Sequence, residues 1–199
     1  MNLRADLAKI AAHVPEGARV LDVGCGEGDL MEALQLQKGC DARGMEIDPE
    51  AVAKAVSRGL SVVQGDANRD LADYPDGAFD VAILSQTLQT AQRPDWLLDQ
   101  LLRVGREAFV SFPNFAYWRM RLFLLRNGRM PISRHLPGSW YETANIHHLT
   151  IADFHEFLTL RGVKVSGSWF FAADNEIGSG TGPFGANWRA EHAVFRLRR

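Results

Sequence analysis

The sequence predicts a doubly wound α/β fold built on a mostly parallel sheet, and three observations predict it. Apolar runs (ARVLDV, ARGMEI, LSVVQ, FDVAILS, EAFVSF) alternate with helical segments over residues 18–112. FDVAILS is continuously apolar rather than alternating, as a strand covered on both faces should be. The first run passes straight into a glycine loop that opens a helix, GCGEGDLMEAL, which is where a doubly wound sheet keeps its ligand.

Each element has a local reason. Leu3, Leu7, Ile10 and Ala11 recur at helical spacing over residues 3–12, and Pro15 closes that segment. ARVLDV reads as a buried strand and GDLMEALQ as the helix that follows it. After ARGMEI, Asp48 is placed to cap a helix with Pro49 in its first position and Gly59 at its end. LSVVQ is a third strand, and the Asp-Gly pair at 76–77 marks the turn before FDVAILS. Pro94 to Val104 is a Leu-rich helix stopped by Gly105, and EAFVSF is a fifth strand.

The alternation breaks after Phe112. Residues 113–149 read as a helical or loop insertion within a single domain spanning 1–199, a length suited to one core. Thr150 and Asp153 have capping-box spacing for a helix ending near Gly162. KVSGSWFFA and EHAVFRLR have strand character, are joined by a Gly-rich loop, and are expected to pair antiparallel at the sheet edge.

Composition narrows the function classes. A formal net charge of -2 argues against general nucleic-acid binding. The two cysteines, Cys25 and Cys40, lack metal-site spacing and make no disulfide framework, which fits a reducing cytoplasm. MNLRADLAKIAAHVP does not read as a signal peptide. The apolar runs fall short of the roughly 18 residues of a membrane span.

The glycine loop carries Gly24, Gly26 and Gly28 with Asp22, Glu27 and Asp29, and residues 20–34 contain no Lys or Arg. A dinucleotide fingerprint would have glycine where Asp29 stands, and the Gly-Lys-Ser/Thr ending of a phosphate loop is missing. A pyrophosphate among these carboxylates would meet like charge. The loop therefore suits a cationic ligand, and S-adenosylmethionine, with a sulfonium, an ammonium and no phosphate, is the expected one. Asp22 or Glu27 would face the ammonium, and Glu46 at the second strand end would take the ribose hydroxyls. Asp66 would accept from the adenine amino group, with backbone contact from Ala67. Cys25 reads as a small residue that fits the loop, not as a nucleophile.

Methyl transfer needs an aligned acceptor more than an acid or base. The segment after the fourth strand, SQTLQTAQRPD, offers Ser85, Gln86, Thr87 and Gln89, all neutral. It has no Asn/Asp-Pro-Pro-aromatic motif and no Pro-Cys nucleophile. His147 and His148 read as surface or structural residues. No catalytic residue is identifiable, and no metal site is expected.

The insertion has a character of its own. Between Ala108 and Tyr141 stand Arg119, Arg121, Arg126, Arg129 and Arg134 and no acid. FAYWRMRLFLLRNG would form a helix apolar over much of its circumference, which must be buried against something. The readings are a lid packed on its own domain, a docking surface, since aromatics and arginine anchor interfaces, a site for an acidic substrate and, last given the net charge, one for RNA.

VLDVGCGEG, MEID and FDVAILS, in that order, resemble the class I S-adenosylmethionine-dependent methyltransferases over about residues 18–112. The resemblance implies a Rossmann-like class I fold: a mostly parallel seven-stranded sheet with an antiparallel edge strand. It implies ligand contacts from Asp22, Gly24, Gly26, Glu46 and Asp66, and the whole candidate cofactor site adds Cys25, Glu27, Gly28, Ile47, Ala67 and Ser85. SFPNFAYWRMR, NGRMPIS and WYETANIHHLTIADF further resemble the insertion of the methionine-biosynthesis MetW family, as do SQTLQ and the N-terminal RADL. The sequence departs from that family's pattern at Ala144, where proline is usual, and at Gly138, where a bulkier residue is.

This second resemblance implies a cytoplasmic bacterial protein of methionine biosynthesis that supports homoserine O-acyltransferase (MetX). Trp118, Arg119, Arg121, Arg126, Trp140 and Tyr141 are the candidate partner-binding residues. Two readings follow: a subunit binding S-adenosylmethionine or S-adenosylhomocysteine, and a methyltransferase acting on a small molecule.

Overall fold

The structure, a computed structural model, describes residues 3–133, 138–180 and 185–199. Helix α1 (Ala5–His13) precedes β1 (Arg19–Val23), α2 (Asp29–Lys38), β2 (Asp41–Glu46), α3 (Pro49–Ser57) and β3 (Ser61–Gln64). Then come β4 (Phe79–Ser85), α4 (Pro94–Val104) and β5 (Gly105–Pro113). The insertion contains α5 (Trp118–Asn127), and α6 (Ile151–Leu160), β6 (Lys164–Ala172), β7 (Asn175–Ser179), α7 (Ala186–Arg189) and β8 (His192–Arg198) complete the chain.

Among the described residues these eight strands share one sheet in the order β3-β2-β1-β4-β5-β8-β6-β7. The first five pair in parallel. The order reverses between β1 and β4, and the crevice beyond their carboxyl ends is the switch point of such a sheet. The late strands pair antiparallel at the edge of the parallel sheet, as expected: β8 runs antiparallel between β5 and β6. The sheet also has an eighth strand, β7, paired with β6 beyond a register shift at Phe170/Phe171. That strand lies in the stretch read as a Gly-rich loop, whose residues 181–184 fall outside the described ones.

The predicted caps are present. Asp48 accepts from Glu50 N at 3.0 Å with Pro49 beside it, and Thr150 and Asp153 cap α6 reciprocally. Gly105 ends α4 in another way than expected, going directly into β5 in extended geometry. A Cβ there would lie 2.7 Å from the Ala82 Cβ, so the glycine serves close strand packing.

Two apolar layers cover the sheet. One joins α4 and α6 to Phe112, Phe154, Phe170 and Phe195; the other joins α1 and α2 to Val20, Val81, Ile83 and Phe109. No helix among the described residues is long and apolar enough to cross a membrane.

Helix α5 is the exception to this packing. Met120 is its buried residue, while Leu122, Phe123, Leu124 and Leu125 are 50%, 43%, 41% and 85% exposed. Of the readings open for this helix, the lid packed on its own domain does not hold: its apolar faces lie in water.

Candidate functional site

The glycine loop stands at the switch point because its backbone conformation permits nothing bulkier. Gly24, Gly26 and Gly28 have φ of +73°, +56° and +85°, the left-handed region that side chains resist. The space around them differs. A Cβ on Gly24 would lie 2.4 Å from Thr87 Oγ1, and one on Gly28 2.3 Å from Leu60 Cδ1. Around Gly26 there is nothing within 4 Å. The outer two glycines close the loop against the protein, and the middle one leaves bare backbone facing open space.

That space is a cavity of about 260 Å³ lined by Asp22, Gly24, Cys25, Gly26, Glu27 and Ser85, with Asp29, Leu30, Arg4 and Leu7. Six of the eleven candidate cofactor residues therefore share one wall. Gly28 sits behind them as the residue before α2. Glu46 reaches the loop through its carboxylate: Oε2 accepts from Gly26 N at 2.8 Å, and Oε1 from Ile47 N at 2.8 Å and Asp48 N at 3.0 Å. Three of its roughly four acceptor positions are thus taken. Ile47 is exposed. Asp66 and Ala67 follow the end of β3 without lining the cavity. Asn68 donates its backbone and side-chain N–H to Asp66 Oδ1 at 2.9 and 2.8 Å, and those bonds hold the Asp66 carboxyl below its ordinary value.

The charges around the loop are more balanced than the local sequence implies. Lys54 of α3 reaches Glu27 at 2.7 Å, and Arg58, just after α3, reaches Asp29 at 2.8 Å and Glu32 at 2.5 Å. Asp22 stays unpaired: it is buried, and its Oδ1 has no hydrogen-bond partner. Burial, followed by an opposing pull from Arg4 and a push from Glu46, raises its pKa to about 7. The Cys25 thiol is pushed up to about 12 by burial, then by Asp22 and Glu46, so it is no nucleophile.

Sequence reasoning missed the cluster next to this wall. Arg4 donates from Nε and Nη2 to Asp6 at 3.2 Å each, and from Nη2 to Ser85 Oγ at 3.0 Å. Ser111 Oγ also donates to Asp6 Oδ2 at 3.0 Å. Burial alone would raise the Asp6 carboxyl, but Arg4, His192 and these hydrogen bonds hold it below the ordinary value. The helical spacing of α1 marks its apolar residues and gives no sign that Asp6 shares their buried face.

Beyond that cluster lies a second cavity of about 340 Å³, bordered by Arg4, Gln86, Gln89, Asn145, Asp174 and His192, among others. Gln86 has φ of +54°, a strained conformation for a side-chain residue that costs about 1–3 kcal/mol and turns the chain after β4. The insertion closes this cavity, because Ile146 N and His147 N both donate to Gln89 O at 3.0 Å.

The partner-binding candidates divide. Arg121 is committed to the fold, donating to Ala116 O at 2.6 Å and lying 5.1 Å over Trp188. Arg119 lies 5.3 Å over the half-buried Trp118. Arg126 is exposed. Trp140 and Tyr141 are 77% and 70% exposed, and Trp140 borders a groove with Met130 and Ile132. Arg134 lies outside the described residues.

The family model of methionine biosynthesis protein MetW matches residues 4–197. The chain belongs to the MetW family. A relative in Rhodopirellula baltica, the bifunctional methionine biosynthesis protein MetXA/MetW, is 34% identical over 186 residues, covering 87% of this chain and 29% of that protein. A ubiquinone biosynthesis O-methyltransferase of Xylella fastidiosa is 38% identical over 114 residues, 53% of this chain and 46% of that protein. This MetW-family chain thus spans less than half the length of these relatives. Its fold is that of S-adenosylmethionine-dependent methyltransferases. The Archaeoglobus fulgidus structure has a TM-score of 0.71 at 16% identity, covering 98% of this chain and 92% of that one. The Mesorhizobium loti structure has 0.70 at 17%, covering 98% of both.

Proposed function

We propose that this MetW-family chain is a cytoplasmic binding subunit. It holds S-adenosylmethionine or S-adenosylhomocysteine at the glycine loop and associates with homoserine O-acyltransferase (MetX) through α5 and the groove beside it. The observation that carries the cofactor assignment is Gly26: bare backbone over open space, walled by Asp22, Ser85 and the Glu46-anchored loop. These residues fit the group. Asp22 holds a buried oxygen with no partner, which suits an ammonium. Glu46 keeps one acceptor position for a ribose hydroxyl, and Asp66 stands at the next strand end for the adenine. When bound, S-adenosylmethionine supplies an electrophilic methyl group.

Association with the acyltransferase is supported by the uncovered α5 and by a relative whose name joins MetXA to MetW in one polypeptide. Exposed apolar surface rimmed by arginine is the composition of interface cores. Calorimetric titration with S-adenosylmethionine, S-adenosylhomocysteine and NAD, run with and without the acyltransferase, tests both halves. The expected result is binding of the first two, exclusion of NAD, a stable complex and an altered acyltransferase rate. NAD binding would remove the cofactor assignment, and the absence of a complex would remove the partner.

The second reading, a methyltransferase acting on a small-molecule acceptor, is favoured by the cavity beside the glycine loop and by the ubiquinone O-methyltransferase relatives. Turnover of methyl-labelled cofactor against a cell-metabolite extract is its test.

A further inference from the structure

Helix α5 touches its own domain along one face only, and its sequence orders the face turned away. At about 3.6 residues per turn, Trp118, Leu122 and Leu125 fall at i, i+4 and i+7 and make one stripe along the helix. The stripe lies opposite Met120, the residue the helix buries. Leu122 and Leu125 are 50% and 85% exposed, and Trp118 is partly so. Leu124, 41% exposed, comes round beside Met120 and outside the stripe. Apolar anchors at this spacing are how an amphipathic helix seats itself in a groove.

Charge runs along one flank of the stripe. Arg119 and Arg126, an i, i+7 pair, share the face next to Leu122, and the Arg119 guanidinium sits 5.3 Å over the Trp118 ring. Among the described residues neither makes an ion pair, and the chain between Ala108 and Tyr141 has no acid to answer them. The arginine of the other flank, Arg121, is turned inward: it donates to Ala116 O at 2.6 Å and lies 5.1 Å over Trp188. The unanswered cations therefore stand on one side of the stripe.

That asymmetry selects the occupant. An anionic lipid surface draws basic side chains to both flanks of an apolar stripe. A second copy laid stripe to stripe would bring arginines to a helix without a carboxylate, and like charges repel. A protein groove with carboxylates along one wall answers the stripe and its flank together.

We propose that Trp118, Leu122 and Leu125 enter an apolar groove on the acyltransferase as a helical ridge, with Arg119 and Arg126 against carboxylates on one wall of that groove. The inference rests on the association proposed above and narrows it to one face of one helix and one mode of recognition.

The test follows binding of the full chain to the captured homoserine O-acyltransferase of the same organism by biolayer interferometry, at low and high salt. Leu122→Ala and Leu125→Ala should each raise Kd at least roughly tenfold, mainly through faster dissociation, while Leu124→Ala should change it by less than about twofold. Arg119→Gln combined with Arg126→Gln should slow association and flatten its salt dependence. Circular dichroism melts check the fold of each variant, and the two stripe leucines, tested separately, keep the test valid if one variant fails to fold. Equal losses at Leu124 and Leu125, wild-type affinity in both stripe variants, or unchanged salt dependence in the double arginine variant would each overturn the proposal. So would stripe-dependent sedimentation with vesicles of equal phosphatidylglycerol and phosphatidylcholine, or stripe-dependent self-association in the ultracentrifuge. A wild-type chain that forms no complex with the acyltransferase would overturn the association itself, and this inference with it.

Discussion

The Glu46 carboxylate accepts a hydrogen bond from Gly26 N at 2.8 Å, tying the end of β2 to the middle of the glycine loop. The residue expected to grip the ribose therefore also holds the loop in shape. Its two roles separate by substitution. Glu46→Gln keeps the size but removes the charge, and S-adenosylmethionine affinity should fall by roughly tenfold or more, as loss of charged hydrogen bonds worth about 1.5–3 kcal/mol implies. Glu46→Ala should add a loss of thermal stability that Gln largely spares. Calorimetry and melting curves on both variants check this, and unchanged affinity in Glu46→Gln would place the ribose elsewhere.

Gly24 and Gly26 should respond differently to one added methyl group. At Gly24 the Cβ would strike Thr87 at 2.4 Å in a left-handed backbone, so Gly24→Ala should cost about 1–3 kcal/mol of stability. At Gly26 the space is open, and Gly26→Ala should cost only the strain of about 1–2 kcal/mol. It should nevertheless abolish cofactor binding, because the methyl occupies the cradle. Denaturant melts paired with titrations separate the two effects.

Asp22 predicts a pH dependence. Its carboxyl is raised to about 7, mainly by burial, so below that pH the native protein carries a proton that must leave before an ammonium can pair with it. S-adenosylhomocysteine affinity should rise as pH increases from 6 to 8, and Asp22→Asn should flatten the profile. Stability moves the opposite way: the native state holds this proton between the ordinary carboxylate value and about 7, so the Asp22 contribution declines as pH rises through that window and is level above it. Asp6, whose carboxyl is lowered, contributes stability that is lost only in acid. Proton-release calorimetry in two buffers resolves the Asp22 term.

The uncovered helix gives a fourth expectation. Leu125→Asp changes a side chain that is 85% exposed, so stability should stay within about 0.5 kcal/mol. Binding to the acyltransferase should weaken by roughly tenfold or more if α5 is an interface anchor. Arg126→Glu should act in the same direction. Arg121→Glu is a poorer probe, because Arg121 supports Ala116 and Trp188 and its loss would loosen α5 itself.

Much of this architecture was legible in the sequence, and the remainder was hidden for physical reasons. Continuous apolar runs, Asp48-Pro49 and Thr150/Asp153 are local signals, and each appears where its spacing put it. The six candidate residues among those lining the glycine-loop cavity lie in and beside strands β1 and β4, so order along the chain brought them together. Arg4 and Asp6 were invisible because their partners, Ser85 and Ser111, are 79 and 105 residues from Asp6. Lys54 and Arg58 neutralise loop acids from α3, a tertiary arrangement that residues 20–34 do not reveal. Strand β7 was concealed by glycines that weaken any strand pattern.

The open flank of α5 bears on how this chain must be handled alone. A folded protein that shows leucine, phenylalanine and tryptophan to water offers seats for environment-sensitive dyes before any melting begins. Fluorescent-dye thermal scans of the isolated chain should therefore start from a high baseline and understate its cooperativity. Intrinsic tryptophan emission or circular dichroism would follow the transition faithfully, and the dye signal would drop once the surface is capped.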